Sequence, residues 1–316
     1  MKDLFSKRDI IYAVYQERSF SKAAQKLFIS QPSLSVMIKK IEDDIGMPLF
    51  DRSCKPIRMT EAGMEYIRAT EAIRHTERAF INYIDASNGQ ISGTLTLGAN
   101  QLFSSLVLPS YISRFIARYP NVSLNLVDNN STNLNNMISA GLLDLMIDNQ
   151  KLDDDVFEQR LLRTEHLLLA VPAAFSCNRG LEKYQMQAAD ILADHHLSAD
   201  MPGVPLDAFA GVPFVPMTRD NDTRQRTDAI FRDAEHKPST LFEVDRLVTL
   251  YNFVEIGTAA SVVSDTLVKH THYSSEHVVF YRFSSPHAVR EIYVSYKRNK
   301  YYSNVMQAFV NLLMEG

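Results

Sequence analysis

Apolar residues recur at helical spacing three times within the first 46 residues. Ile10, Ile11 and Val14 share one face of residues 9–17. Ala23, Ala24 and Leu27 form the inner face of a shorter helix, about 21–27, which Ser19 or Ser21 caps; side chains as small as alanine let a second helix approach closely. Leu34, Ile38, Ile41 and Ile45 then follow at spacings of 4, 3 and 4, the stripe of a third helix. Ser30 is a good N-cap for it, Pro32 sits in the first turn, where a missing N–H costs nothing, and Gly46 ends it. Two helices separated by a tight, capped turn predict a helix-turn-helix.

Beyond this head the pattern changes twice. Residues 60–86 are uninterrupted helix formers, with Tyr66, Thr70, Ile73, Glu77, Phe80 and Ile84 at spacings of 4, 3, 4, 3 and 4. That heptad seam is imperfect at Thr70 and Glu77, so it suits either a partner helix or the helix's own domain. SNGQISG, residues 87–93, breaks it. From residue 91 strand-like and helix-like stretches alternate, including HLLLAVP, SVVS and REIYVSYK, which predicts an open α/β sheet. The domains expected are therefore 1–60, a linker helix over 61–88, and a body over 91–316.

Composition adds that the chain is ordinary globular material, 46% hydrophobic and 22% charged, with no apolar run of membrane-spanning length. No apolar secretory segment follows the first residues, so a cytoplasmic location is expected. Cys54 and Cys177 are far apart and are expected to be reduced thiols without assigned chemistry. Charge is unevenly spread. Residues 1–60 hold 11 Lys+Arg and 7 Asp+Glu, a balance of +4; the chain totals are 33 and 37, which leaves 22 and 30, or −8, for the rest. A basic head on an acidic body fits a head that meets a polyanion.

The outer face of the third helix carries Gln31, Ser33, Ser35, Val36, Lys39 and Lys40. Short hydroxyls and an amide near a helix start suit base edges, and lysines a turn later suit phosphates. A lone helix with such a face is more often simply solvated; the capped turn, the Ala-Ala face and the local charge together favour DNA. The run from Ser19 to Gly63 closely resembles the winged helix-turn-helix head of LysR-type transcriptional regulators, through Ser19-Phe20, Ala23-Ala24, Leu27, Ser30-Gln31-Pro32, Ser35, Glu42, Gly46, Leu49-Phe50, Arg52, Thr60 and Gly63. Ile41 replaces a common leucine and Arg18 a common glycine. Two short extended arms around a polar turn make the wing, where Arg52, Lys55 and Arg58 are expected at the DNA backbone or minor groove. With Ser21 and Pro32, these residues are the candidate DNA contacts. The resemblance implies an α+β multidomain protein: an all-α winged helix-turn-helix domain, a linker helix that pairs two chains, and a two-lobed α/β body with the type II periplasmic-binding-protein fold. It implies a homodimer or homotetramer. The lobes are expected at about 91–163 with 268–316, and at about 164–267, with crossings near Arg163–His166 and Asp265–Lys269. Residues 176–201 look longer than usual.

In such sheets ligands sit beyond strand ends where helix starts converge. Four clusters qualify: Ala99, Asn100, Gln101 and Ser104; Asn129, Asn130, Ser131 and Thr132; Thr218, Asn221, Asp222, Thr223 and Arg224; and Asp245 with Arg246. Any one of them could be capping chemistry alone. Arg224 and Arg246 suggest a small anionic effector, unless Asp222 and Asp245 neutralise them. No phosphate-binding, nucleotide, hydrolase or zinc-protease motif is present, so neither an enzyme nor a cofactor is expected. His195-His196 and His270-x-His272 lack partners at metal-ligand spacing and read as surface histidines. The rivals to a ligand-responsive DNA-binding regulator are a secreted solute-binding protein, against which the basic head argues, a cytoplasmic small-molecule-binding protein without a regulatory role, and a regulator whose body binds nothing.

Overall fold

A computed structural model describes residues 3–54, 56–87, 91–271, 275–298 and 302–315. Lys55, expected in the wing, lies outside the described residues. Three helices open the chain: α1 (Arg8–Glu17), α2 (Phe20–Lys26) and α3 (Gln31–Ile45). The Ser19 and Ser30 side chains cap α2 and α3, accepting from the N–H groups of Lys22 and Ser33, and Gly46 closes α3 in the left-handed region at φ +83°. Ile11, Val14, Ala23, Ala24, Leu34 and Ile38 are buried together. Arg18 is left-handed at φ +48°, and its N–H caps α1 on the Val14 carbonyl.

The wing is a two-stranded antiparallel ribbon, β1 (Phe50–Asp51) and β2 (Arg58–Met59). One carboxylate sets its start. Glu42 Oε1 accepts from the N–H groups of Leu49 and Phe50 at 2.8 and 3.2 Å, while Oε2 accepts from Arg52 Nη2 at 2.7 Å. Thr60 fixes its end: the hydroxyl donates to the Pro48 carbonyl at 2.7 Å and accepts from the Gly63 N–H at 3.0 Å. The long helix α4 (Glu61–Ser87) begins there. Its heptad seam divides. Tyr66 and Thr70 are buried on the chain's own head, Tyr66 donates to the Leu4 carbonyl, and Glu77 takes Arg8. Phe80, Ile81 and Ile84 are exposed further along.

The body runs β3 (Gly93–Ala99), α5 (Leu108–Arg118), β4 (Val122–Asp128), α6 (Ser131–Ser139), β5 (Leu145–Asp148) and the sixteen-residue β6 (Phe157–Pro172). A π-helical turn, Phe103–Val107, precedes α5. There follow β7 (Gln185–Met186), α7 (Ala188–Leu192), β8 (Pro213–Phe214), α8 (Asp222–Asp233), β9 (Ser239–Thr240) and α9 (Leu247–Glu255). The chain ends with β10 (Ser261–Ser264), α10 (Asp265–His270), β11 (Val278–Arg282), β12 (Val289–Lys297) and α11 (Asn304–Met314). The main sheet is ordered β4-β3-β5-β12-β6-β11-β7, with β10 also on β6.

Strand β6 joins the two halves of the sheet. Residues 157–166 pair with β12, and 167–172 pair with β10 and β11. Its apolar run LLLAV is buried on both faces: Leu168 and Ala170 enter a core with Phe280 and Phe309, while Leu167, Leu169 and Val171 enter another with Phe214 and Phe231. Because β11 continues along the second half of β6, the chain passes back to the first half at residues 283–288, between β11 and β12. This differs from the crossing expected at Asp265–Lys269, where the apolar β10 gives way to a helix; that change of period marks the start of α10 and not the crossing. The segment 176–201 supplies the edge strand β7, helix α7 and a 3-10 turn at His195–Leu197.

A Cβ at Gly63 would lie 2.1 Å from the Leu49 carbonyl oxygen, which accepts from the Thr60 N–H at 3.0 Å while Glu42 holds the Leu49 N–H. Gly63→Ala is therefore expected to destabilise the head by about 1–3 kcal/mol, the usual cost of overpacking, read as a lower urea midpoint. A midpoint equal to the wild type's would show that the wing is not tied to α4 in this way.

Candidate functional site

Two surfaces carry chemistry. On the head, Ser21, Gln31, Pro32, Ser33, Val36, Lys39, Lys40, Arg52 and Arg58 are exposed and Ser35 is half-buried, all opposite or beside the buried Leu34, Ile38 and Ile41 stripe. Part of this face is already bonded. Ser33 Oγ lies 2.7 Å from Ser30 Oγ, and Gln31 Nε2 donates to Ser35 Oγ at 2.9 Å. Arg52 is held by Glu42 and lies over the Phe20 ring, 5.3 Å from its centroid, so it positions the wing whatever else it touches. Phe28 is a further exposed residue of the head although nothing in its sequence context singles it out. It occupies the turn before α3 at φ +55° and is 95% exposed, an apolar ring in water as Val36, 70% exposed, is on α3. Its neighbours Leu27 and Ile29 make it read as part of a hydrophobic run.

On the body, strand ends and helix starts enclose a cavity of about 470 Å³. Of the expected effector residues, Asn100, Gln101, Asn130, Thr218, Asn221, Thr223 and Arg246 line it, with Asn129, Ser131, Asp222 and Asp245 from the same clusters. Four do not. Ala99 is fully buried in β3, Ser104 is buried with its hydroxyl on the Gln101 carbonyl, and Thr132 is exposed on α6. Arg224 turns away: Nε donates to Asp228 at 2.8 Å, and Nη1 donates to Glu243 and to the Met217 carbonyl at 2.8 and 2.7 Å. An aspartate one helical turn on and a glutamate beyond β9 outcompete the cavity for that guanidinium. Burial works against its charge, but Glu243 and Asp228 outweigh burial and raise its pKa.

Several lining groups also cap helices. Asn130 Oδ1 accepts from the Asn133 N–H at the start of α6, and Asn221 Oδ1 from the Thr223 N–H at the start of α8. Ser131 donates to both oxygens of the buried Asp148, at 3.1 and 2.9 Å. Burial pushes the Asp148 carboxyl up despite these bonds. At the back of the cavity stands Arg290, a residue the sequence does not single out. Nε donates to Glu165 Oε2 at 2.6 Å, and Nη1 donates to Asp222 Oδ2 and Thr223 Oγ1 at 2.8 and 3.0 Å. Burial opposes its charge; Glu165 and Asp222 more than reverse this and hold the guanidinium ionised. The lining thus holds Arg246 and Arg290 against Asp128, Asp220, Asp222 and Asp245. Arg290 is already matched, and Arg224 faces elsewhere. The grounds for expecting an anion are therefore reduced to Arg246 and the helix starts.

A family described as the LysR substrate binding domain matches residues 88–316, and one described as bacterial regulatory helix-turn-helix protein, lysR family, matches residues 8–64. The uncharacterized HTH-type transcriptional regulator YcgK of Bacillus subtilis (strain 168) is 26% identical over 308 residues, 96% of this chain and 91% of its own length. HTH-type transcriptional regulator ShiR of Corynebacterium glutamicum (strain R) is 30% identical over 161 residues, 51% of this chain and 55% of its own. Among solved structures, CbnR, a LysR family transcriptional regulator, superposes with a TM-score of 0.67 at 17% identity, covering 100% of this chain and 99% of CbnR. A full-length OxyR variant from Pseudomonas aeruginosa gives 0.63 at 21%, covering 97% and 94%. At these identities the likeness to the solved structures is one of fold.

Removing Arg290 leaves Glu165, wholly buried, without its cation. Arg290→Met is expected to lower the unfolding free energy by about 3–5 kcal/mol, the cost of stranding a buried charge. Adding Glu165→Gln should restore part of it. Chemical denaturation of the three proteins checks this, and an Arg290→Met variant as stable as the wild type would contradict the assignment.

Proposed function

The chain belongs to the LysR family of transcriptional regulators, and from that premise we propose that it reads duplex DNA with α3, braces on the backbone with the wing, and answers to a small polar molecule in the body's cavity. The observation that carries the DNA part is the exposed Gln31, Val36, Lys39 and Lys40 face opposite the buried Leu34, Ile38 and Ile41. Gln31 and Val36 suit base edges and thymine methyls, and Lys39, Lys40 and Arg58 suit phosphates. The exposed Phe80, Ile81 and Ile84 on α4 support pairing of two chains, which brings two heads to half-sites on one duplex. A DNA partner fits a cytoplasmic location, and among the described residues no helix is long and apolar enough to cross a membrane.

The ligand class follows from the lining. Asp128, Asp220 and Asp245 line the cavity, whereas Arg246 is its one guanidinium outside the buried Arg290 cluster among the described residues. A molecule with a positively charged nitrogen and a separate acceptor, such as an amino acid or another zwitterion, satisfies both signs of charge. Ligand binding acts on DNA affinity only so far as it favours one arrangement of the sheet halves over another.

Two outcomes test these roles. Lys39→Ala should weaken every duplex alike and flatten the salt dependence of log K by about one unit, whereas Gln31→Ala should relax choice at particular base pairs at about 1–3 kcal/mol. Fluorescence anisotropy on matched and mismatched duplexes separates the two, and wild-type behaviour from both would move the interface off α3. For the ligand, a thermal-shift panel of amines, zwitterions and dicarboxylates should stabilise the chain through members bearing a cationic nitrogen. Asp220→Asn with Asp245→Asn should abolish that shift. Stabilisation by dicarboxylates alone, lost in Arg246→Ala, would reinstate an anion.

A further inference from the structure

A second cavity, about 490 Å³, opens beside the crossing between the sheet halves, and two histidines line it: His166 from the middle of β6 and His196 from the turn 195–197. Asp265, the first residue of α10, lies against both rings. His196 Nε2 is 3.1 Å from Asp265 Oδ2, and His166 Nδ1 is 3.5 Å from the same oxygen. The three donor atoms all lie within 4.8 Å of one another. His196 is therefore no surface histidine, contrary to what its sequence context suggests. His195 is the exposed one of that pair and meets Asp190, and His272 lies outside the described residues.

We infer that His166, His196 and Asp265 form a binding site for a divalent ion of the zinc class, with the remaining coordination position facing the cavity. Hydrogen bonding alone accounts poorly for the cluster. The His166 Nδ1 atom is buried and has no hydrogen-bond partner, being too far from the carboxylate for a good bond, whereas His196 bonds Asp265 through Nε2 at 3.1 Å. The spacing suits a shared ion better. Metal–ligand bonds of about 2.0–2.1 Å in tetrahedral array put ligand atoms about 3.3 Å apart, between the 3.1 and 3.5 Å separations found here.

The remaining closure falls on His166, whose side chain is 26% exposed and can turn, while His196 and Asp265 are enclosed at 0% and 2%. The second carboxylate oxygen is held in place, since Asp265 Oδ1 accepts from the His166 N–H at 3.1 Å. Such an anchor is what orients a metal-bound carboxylate. Nearby cations are engaged elsewhere: Lys269 with Asp194, and Arg282 with the carbonyls of Ser198 and Met201. Two imidazoles and one carboxylate are borderline donors that select zinc and its neighbours over magnesium or calcium. Since the three ligands come from β6, the 195–197 turn and α10, the ion pins these elements to the crossing strand.

The test uses tag-free full-length protein stripped with EDTA and dialysed. Zinc titration against a chromophoric chelator should give one tight equivalent per chain, and cobalt should give the intense visible band of a four-coordinate ion. His166→Gln and Asp265→Asn, each checked for folding by circular dichroism, should lose both signals, while His195→Ala should keep them. If neither variant folds, the wild type decides: saturation at one equivalent with a raised melting temperature supports the site. No stoichiometric uptake by the wild type, or undiminished uptake by folded His166→Gln, overturns it.

Discussion

The body is organised around one buried cation. Arg290 stands on β12, bonds Glu165 on the adjacent β6, and reaches Asp222 and Thr223 at the start of α8. A guanidinium and a carboxylate removed from water are each costly alone and are tolerated because they meet. The requirement fixes three elements at once: β6, which joins the sheet halves, its neighbour β12, and the helix whose first turn walls the cavity. The geometry of the cavity is thus set by a contact the ligand does not have to make. Glu165 is also the residue before His166, so the cluster lies next to the histidine–aspartate group on the same strand.

The head uses the same device on a smaller scale. Glu42 reaches out from α3 to accept two wing N–H groups and Arg52, and Thr60 with Gly63 locks the far side of the wing to α4. Glu42, Leu49, Arg52, Thr60 and Gly63, which these bonds join, are among the residues that resemble the family. The bonds determine where the wing stands relative to α3, not which bases are read. The exposed residues of α3 are free of that constraint, which is where sequence preference can vary without loss of fold.

The helices of the head are legible in the sequence because their signals are local. Ser19 and Ser30 act on N–H groups three residues ahead, Gly46 ends α3 within its own turn, and the apolar stripe needs only the stretch from Leu34 to Ile45. The alternating body is legible for a similar reason. The cavity can be read in outline, since helix starts after strands announce themselves through Asn130 and Asn221. What escapes depends on distant partners. Arg290 meets residues 125 and 68 positions away, and Asp265 meets His196 across 69, separations at which no spacing rule operates. Arg224 defeats a sequence reading because a cation near a helix start says nothing about which way it turns, and Asp228 is one helical turn away. On α4 the heptad period is present, but period does not name a partner: Tyr66 and Thr70 cover the chain's own head.

The proposed function rests most heavily on a paired head that reads DNA. Selection of bound duplexes from a randomised pool by the full-length protein measures this directly, whatever the natural target. A paired head should enrich a motif with two-fold symmetry, its half-sites about one helical turn or a multiple apart. Recovery of a pool no different in sequence from the input would contradict it.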